Sequence, residues 1–136
     1  VLPGRLLGVL GPSGSGKTSF LSALAGVAPQ RRGAVQSDGR QLSLARGDVA
    51  LLPQEDHFFS MLSVQETLEF AAALQLPHLN ASMRREEVRA CMARMGLAGV
   101  AKRRVGDPLR GVAGISGGER RRLAIACELL RSPMPQ

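Results

Sequence analysis

The pattern of apolar and polar positions in the first part of the chain predicts short strands around one helix. Residues 5–10 form an apolar run without helical period that ends at a glycine-rich segment, which predicts a buried strand. Apolar residues over 17–25 recur at helical spacing and predict a helix. Segment 33–42 is predicted to fold as an antiparallel hairpin with its turn at Asp38-Gly39. Residues 48–52 predict another apolar strand.

The second part of the chain has helical periodicity. Ser63 and Glu66 have the spacing of a capping box, and an amphipathic helix is predicted to follow them. A second helix is predicted to open near Ser82 and to end at Gly96. A last helix follows the glycine-rich loop 106–114. The residues expected to face the core from these last two helices are Val88, Cys91, Met92, Met95, Leu123, Ala126, Cys127 and Leu130.

Length, charge and cysteine usage narrow the class of protein. The 136 residues amount to one domain, and no apolar run approaches the ~18 residues of a membrane-spanning helix. The net charge of +7 suits an anionic partner, but the aromatic residues are four phenylalanines, which disfavours stacking on nucleic-acid bases. Cys91 and Cys127 lack metal-ligand spacing and are expected to be reduced core thiols. The chain starts without Met and without a signal peptide, so we expect a piece of a longer protein in a reducing cytoplasm.

A phosphate-binding loop is predicted over residues 11–18. The sequence Gly-Pro-Ser-Gly-Ser-Gly-Lys-Thr matches the pattern G-x-x-x-x-G-K-[ST] at every fixed position, between a predicted strand and a predicted helix. Glycines let backbone amides approach phosphates, Lys17 offers a charge to the β- and γ-phosphates, and the Thr18 hydroxyl can ligate Mg²⁺. The nucleotide-binding residues predicted here are Gly11, Ser13, Gly14, Ser15, Gly16, Lys17, Thr18 and Ser19.

A second candidate phosphate site begins at Ser116. Ser116, Gly117 and Gly118 open the last predicted helix, where a hydroxyl, exposed amides and the positive helix end converge. Serine is also a common helix N-cap, so these three residues alone leave both interpretations open. The basic run 120–122 is predicted to be a solvated face of the first helix turn, with contact to a partner domain or to acidic lipid as the alternative. His57 and His78 are expected to be exposed loop residues.

Together, the two glycine-bearing segments carry a resemblance to a known family. Segment 115–120 resembles the signature of ATP-binding cassette (ABC) ATPases, and nearly the whole chain resembles part of one nucleotide-binding domain. Several segments resemble the G subfamily of ABC transporters in particular: 11–18 followed by 24–26, then 53–56, 62–72 and 115–122.

The resemblance implies an α/β fold. The chain would be a fragment of a P-loop NTPase of the ABC ATPase type, with parallel core strands, a small antiparallel β-hairpin part and an α-helical subdomain. Residues 1–54 would hold the P-loop strand and helix, the hairpin and the strand before the Q-loop. Residues 55–136 would hold the helical subdomain and the signature helix.

The resemblance also implies roles for named residues in a dimer of cassettes. Each ATP would lie between the phosphate loop of one subunit and the signature of the other, so that Ser116, Gly117 and Gly118 contact the γ-phosphate bound by the partner. Gln54 would be the Q-loop residue that senses Mg²⁺ or the attacking water. Lys17 and Gln54 are thereby the implied catalytic residues, and Thr18 and Gln54 the implied Mg²⁺ ligands. Glu119 is not the catalytic carboxylate.

The implied partners are a second nucleotide-binding domain and the transmembrane domain of the same transporter, on the cytosolic face of a membrane, with no nucleic acid. The family's Asp-Glu pair and switch histidine, which follow the signature helix, do not occur in this chain. We therefore expect ATPase activity of the parent protein and little or none of the 136 residues alone. Lacking the central strand, the isolated chain is expected to be marginally stable, and a cooperative thermal melt would contradict this.

Two alternatives remain open. One is a DNA-maintenance ATPase of the same superfamily, which the positive charge would suit. The interval of 62 residues from Gln54 to Ser116 contains neither heptads nor cysteine pairs, which disfavours that alternative. The other is a truncated, regulatory pseudo-cassette that acts by pairing with an intact one. Transported substrates contact membrane helices, so the substrate is not readable from this sequence.

Overall fold

The structure is a computed structural model that describes residues 4–28, 35–37, 39–41 and 49–130. The chain divides into two compact units, Val1–Leu51 and Leu52–Gln136. The division falls three residues before the one that the family resemblance implies, which lies after Gln54. Gln54 therefore belongs to the second unit.

The first unit contains one helix, α1 (Lys17–Leu24), among its described residues. Gly16 is its N-cap in the left-handed conformation, and Ala25 is its C-cap. The amides of Gly26 and Val27 donate to carbonyls of the last turn, on Ala23 and Ser22. The helix predicted over 17–25 is confirmed, with its end one residue earlier.

The strands of the first unit are β1 (Gln36–Ser37) and β2 (Arg40–Gln41). They pair antiparallel, with Gln36 opposite Gln41 and Ser37 opposite Arg40. The pair lies inside the segment where the sequence predicts a hairpin. The rest of that hairpin, including Asp38 of the turn, lies outside the described residues.

The apolar run 5–10 is not in a strand. No described residue pairs with its backbone, and Leu6 and Leu10 are fully exposed. Residues 49–52 are not in a strand either, and Asp48 lies outside the described residues. A strand needs a neighbouring backbone to donate to and accept from it, so an apolar run alone does not make one. The predicted parallel core strands over 5–10 and 48–52 are thus not confirmed.

The second unit is built from three helices, α2 (Val64–Gln75), α3 (Ala81–Arg94) and α4 (Gly117–Leu129). Short 3₁₀ turns lie at Ala98–Val100 and Pro108–Arg110. Ser63 caps α2 in the predicted capping box with Glu66. The cap of α3 is Asn80, whose Oδ1 accepts the Met83 amide at 3.0 Å, so this helix begins just before the predicted start. No helix of the described residues has the length and apolar character to cross a bilayer.

The apolar faces of α2, α3 and α4 meet in one core. Its buried members are Val64, Leu68, Ala72, Leu76, Val88, Cys91, Met92, Leu97, Val105, Ile115, Leu123, Ala126 and Leu130. Every predicted core residue of α3 and α4 is in this core or, like Met95 and Cys127, half-buried against it. Both cysteines are free thiols, and burial raises the pKa of Cys127 to about 12. This confirms that both cysteines belong to the core.

A backbone ladder joins the start of α2 to the segment that precedes α4. The amide of Val105 donates to the Leu62 carbonyl at 2.8 Å, and the amide of Gly106 donates to the Ser60 carbonyl at 2.9 Å. On the other side, the Ile115 amide donates to the Val105 carbonyl at 3.3 Å. The residue that immediately precedes Ser116 is thereby fixed to the body of the unit.

Two glycines let the backbone close up beside this ladder. A Cβ on Gly106 would lie 2.6 Å from the Cα of Gly114, and Gly106 has a φ of 72°. A Cβ on Gly114 would in turn overlap the carbonyl group of Val105. All of these obstacles are backbone atoms, which cannot swing aside as a side chain can.

We therefore expect Gly114→Ala to destabilise this unit by about 1–3 kcal/mol, the usual cost of overpacking. Differential scanning calorimetry of the full-length protein would show this as a lower transition temperature. Gly99→Ala is the matched control, because a Cβ on Gly99 would meet no described atom within 4 Å. Equal transition temperatures for the two variants would contradict the assigned close packing.

Candidate functional site

The loop before α1 is folded around the ammonium group of Lys17. Its Nζ donates to the carbonyl oxygens of Gly11 at 2.9 Å and Pro12 at 2.6 Å, and it lies 3.4 Å from the Ser15 hydroxyl. The Ser15 amide closes a turn onto the Pro12 carbonyl at 3.3 Å. Although lysine stems are flexible, these bonds hold the positive charge against the loop backbone in a half-buried position.

Glycine is required in this loop for backbone conformation. Gly14 and Gly16 have φ values of 80° and 88°, where a residue with a Cβ would be strained. A Cβ on either would meet no described atom within 4 Å, so the backbone is open to a group arriving from outside. Gly16 is also the N-cap of α1 without a side chain, which leaves the amides of the first turn accessible.

The donors around Lys17 suit a polyphosphate. Phosphate oxygens accept from amides, hydroxyls and ammonium groups, and the partial positive charge of a helix N-terminus favours them. The Thr18 hydroxyl, on the second residue of α1, fits as one oxygen ligand of a Mg²⁺ ion bound with the phosphates. The predicted loop residues whose side chains are exposed, and so within reach of a ligand, are Ser13, Ser15, Thr18 and Ser19.

Ser116 forms a complete capping box at the start of α4. Its hydroxyl donates to Glu119 Oε2 at 2.7 Å and accepts the Glu119 amide at 3.3 Å, while its own amide donates to Oε2 at 2.7 Å. The N-cap interpretation of this serine is therefore correct. Ser116, Gly117 and Gly118 are all exposed, and the two glycines leave the first amides of the helix uncovered.

Two of the three arginines in the first turns of α4 are anchored in the protein. Arg120 donates to the carbonyls of Gly106 at 2.7 Å and Asp56 at 3.1 Å, and its guanidinium lies 5.3 Å from the centre of the Phe58 ring. Arg121 donates hydrogen bonds to Pro53 and Asp56, on either side of Gln54. The prediction of a solvated face is wrong for these two residues because both reach back to residues 53–58, and it holds for the exposed Arg122.

Gln54 and both histidines are exposed. The Gln54 side chain is thus open to a ligand, while the segment that carries it is held on both sides. His57 and His78 confirm their predicted exposure and lie outside the contacts described above.

Comparison with known proteins decides the family. The family model described as "ABC transporter" matches residues 1–134. The chain belongs to the ABC transporter family. This assigns the fold of a P-loop NTPase and the ATP-binding part of an ABC transporter, as the sequence resemblance implies.

The curated relatives of this ABC segment belong to the G family. It is 47% identical over 137 residues to ABC transporter G family member 7 of Arabidopsis thaliana, covering 96% of the chain and 19% of that relative. It is 40% identical over 136 residues to G family member 17 of the same plant, covering 96% and 20%. It is 39% identical over 132 residues to G family member STR2 of Petunia hybrida, covering 96% and 18%. The chain spans about a fifth of the length of these relatives and is a partial nucleotide-binding domain of the G subfamily.

The capping boxes of this ABC segment give it a pH-dependent stability. Hydrogen bonds from the Ser116 amide and hydroxyl lower the pKa of Glu119, and those from Ser63 lower the pKa of Glu66. The folded state favours the ionised carboxylates. Their contribution to the free energy of unfolding is therefore complete at a pH above 4.5, the ordinary pKa of glutamate, and is lost as the pH falls below that value.

We expect the transition temperature of the full-length protein to fall less below pH 4.5 in the double variant E66Q/E119Q than in the wild type. Glutamine can still accept the serine amide but does not titrate in this range. Differential scanning calorimetry between pH 7 and pH 3.5 would measure the difference. Glu86→Gln, an exposed position within α3, should follow the wild-type profile, and parallel profiles for all three proteins would contradict the prediction.

Proposed function

We propose that the chain is the nucleotide-binding part of a G-family ABC transporter in which ATP binding and hydrolysis drive transport across a membrane. The observation that carries this proposal is the loop 11–18, where the Lys17 ammonium is held over the Gly11 and Pro12 carbonyls and the glycine backbone is open. The family match supports it independently.

In this proposal the phosphate loop binds ATP by exchanging internal contacts for ligand contacts. The Lys17 ammonium donates to the β- and γ-phosphates in place of the Gly11 and Pro12 carbonyls and the Ser15 hydroxyl. The backbone amides from Ser13 to Gly16 and the first turn of α1 donate to the remaining phosphate oxygens, and Thr18 and Gln54 supply Mg²⁺ ligands. A Mg²⁺ ion held by these residues would neutralise charge on the transferred phosphoryl group. Gln54 orients the attacking water.

The second half of the ATP site is proposed to come from a second nucleotide-binding domain. Ser116, Gly117 and Gly118 are exposed at the positive end of a 13-residue helix, where accessible amides suit the γ-phosphate held by a partner cassette. In this arrangement ATP is shared between two subunits, so nucleotide binding brings them together and hydrolysis lets them separate.

The second proposed partner is the transmembrane domain of the same transporter, which places this segment at the cytosolic face of a membrane. A groove of about 740 Å³ lies between residues 55–60 and 107–110. Two large apolar side chains beside it, Phe59 and Leu109, are 69% and 99% exposed. Charged side chains of both signs line the groove beside these apolar ones, a mixture that suits a protein partner better than a nucleic acid.

The test is ATP turnover by the full-length protein in proteoliposomes with and without Mg²⁺. We expect Mg²⁺-dependent phosphate release at about 1–1,000 s⁻¹, the usual range for enzymes. ATP binding without turnover would favour the regulatory pseudo-cassette. Turnover stimulated by DNA and indifferent to the membrane would favour the DNA-maintenance ATPase.

A further inference from the structure

Arg121 links the start of α4 to residues on both sides of Gln54, the Pro53 backbone before it and the Asp56 side chain after it. Its Nη1 donates to the Pro53 carbonyl at 2.6 Å and to Asp56 Oδ1 at 3.0 Å. Pro53 directly precedes Gln54, and Asp56 follows it by two residues. The exposed Gln54 side chain therefore projects from a short segment whose two ends are held by a single guanidinium group.

Asp56 is the anchor of this arrangement. Its side chain is only 11% exposed, and the Arg121 side chain is 42% exposed. Its main-chain carbonyl also accepts from Arg120 at 3.1 Å. Hydrogen bonds between ionised partners are shorter and stronger than neutral ones, and a largely buried carboxylate left without its cation is strongly destabilised. Both effects favour one fixed position of the segment.

The same helix carries the signature residues at its start. Ser116 is the N-cap of α4, and Arg121 lies about one and a half turns further along the helix. The helix backbone is rigid over this distance, so a displacement of its first turn carries Arg121 and the Gln54 segment with it.

We propose that Arg121, acting through Asp56 and the Pro53 carbonyl, is a positioning residue that sets the place of Gln54 during ATP hydrolysis. The inference rests on the proposed function, since it assigns Arg121 a part in the ATP site of this chain. Arg121 itself contacts no substrate. It fixes the backbone from which Gln54 reaches the nucleotide, and it makes that placement depend on the position of the signature turn.

The experiment measures kcat and KM for ATP, with Mg²⁺ in excess, on the full-length protein and four variants. Arg121→Met and Asp56→Asn each remove one side of the ion pair, and Arg121→Lys keeps the charge. Arg122→Met is the matched control, because Arg122 is the exposed arginine next along the same helix. A small misplacement of a positioned group costs up to about a hundredfold in rate, so we expect kcat to fall about tenfold to a hundredfold in the first two variants.

The pattern of kinetic constants separates positioning from general damage. KM for ATP should stay within about twofold because the loop around Lys17 is untouched, and a uniform binding loss would instead raise KM at constant kcat. Arg121→Lys should recover much of kcat. The double variant R121M/D56N should be no slower than Arg121→Met alone, because the ion pair that Asp56→Asn disrupts is already lost in Arg121→Met.

Three results would overturn the inference: the same kcat for Arg121→Met as for Arg122→Met, a loss confined to KM, or strictly additive effects in the double variant. If Arg121→Met does not fold, Asp56→Asn and Arg121→Lys decide the question, since both retain part of the contact. A wild-type protein without ATP turnover would overturn the proposed function and this inference together. Wild-type turnover with an inert Arg121 would overturn this inference alone.

Discussion

ATP turnover by the full-length protein should fall about a hundredfold to a thousandfold when Lys17 is replaced by alanine, the usual effect of removing one electrostatic donor from a reaction centre. The Lys17 ammonium lies 2.9 Å and 2.6 Å from two loop carbonyls, so its charge is already concentrated where the phosphates are proposed to bind. Alanine removes that charge and also the hydrogen bonds that shape the loop. Phosphate release at saturating ATP and Mg²⁺ measures the change.

The chain supplies its own control for this prediction. Lys102 is the other lysine of the sequence, and it is exposed, outside any loop that resembles a phosphate site. Lys102→Ala removes the same charge and should leave turnover within about twofold, because exposed surface charges contribute little. If Lys17→Ala and Lys102→Ala turned over ATP equally fast, Lys17 would have no role in binding or catalysis.

Features of this fold that depend on neighbouring residues could be predicted from sequence. The loop and helix of 11–24 could be predicted because glycines stand at the positions that need a positive φ. The pattern G-x-x-x-x-G-K-[ST] also lies in one uninterrupted stretch of the chain. Both capping boxes could be read from a serine and a glutamate three residues apart. The core faces of α3 and α4 follow from helical spacing, since a helix buries every third or fourth residue.

Features that depend on distant partners could not be predicted. The apolar run 5–10 has the composition of a strand, yet strand formation requires another backbone, and no described residue supplies one. Phe70 of α2 is apolar yet 54% exposed, and its ring is in edge contact with that of Phe59 at a centroid distance of 6.3 Å.

The contact of Arg121 with Asp56, which we propose positions Gln54, is the feature that sequence reasoning missed. The two residues are 65 positions apart, and the sequence contains 11 acidic and 18 basic residues, which allow many pairings. The signal available was an acidic pair, Glu55-Asp56, directly after Gln54 and a basic run directly after the signature. Only the packing of α4 against the segment around Gln54 selects one partner among them.

Ser63 and Ser116 form capping boxes of nearly the same geometry. Comparing the two serines therefore distinguishes the structural role of Ser116 from its proposed role in binding ATP. In both, the serine amide and hydroxyl donate to a glutamate Oε2, at 2.8 Å and 2.7 Å for Ser63 and at 2.7 Å for both bonds of Ser116. Ser63→Ala and Ser116→Ala should therefore destabilise the protein by a similar amount, about 1 kcal/mol. The surroundings differ, because Ser63 is followed by the fully buried Val64 and Ser116 by exposed glycines.

We expect Ser116→Ala to lower ATP turnover about tenfold to a hundredfold, corresponding to a lost hydrogen bond to a charged group, while Ser63→Ala keeps wild-type turnover. Equal transition temperatures of the two variants would show that losing either cap destabilises the protein by the same amount. Any difference in ATP turnover between them would then be due to the contact with phosphate. The Ser116 hydroxyl has one proton, which it gives to Glu119 in this structure. Contact with a γ-phosphate oxygen therefore requires the hydroxyl to turn away from Glu119, and E119Q, which weakens that bond, should not reduce turnover. Equal loss in Ser63→Ala and Ser116→Ala would make the serine a helix cap only.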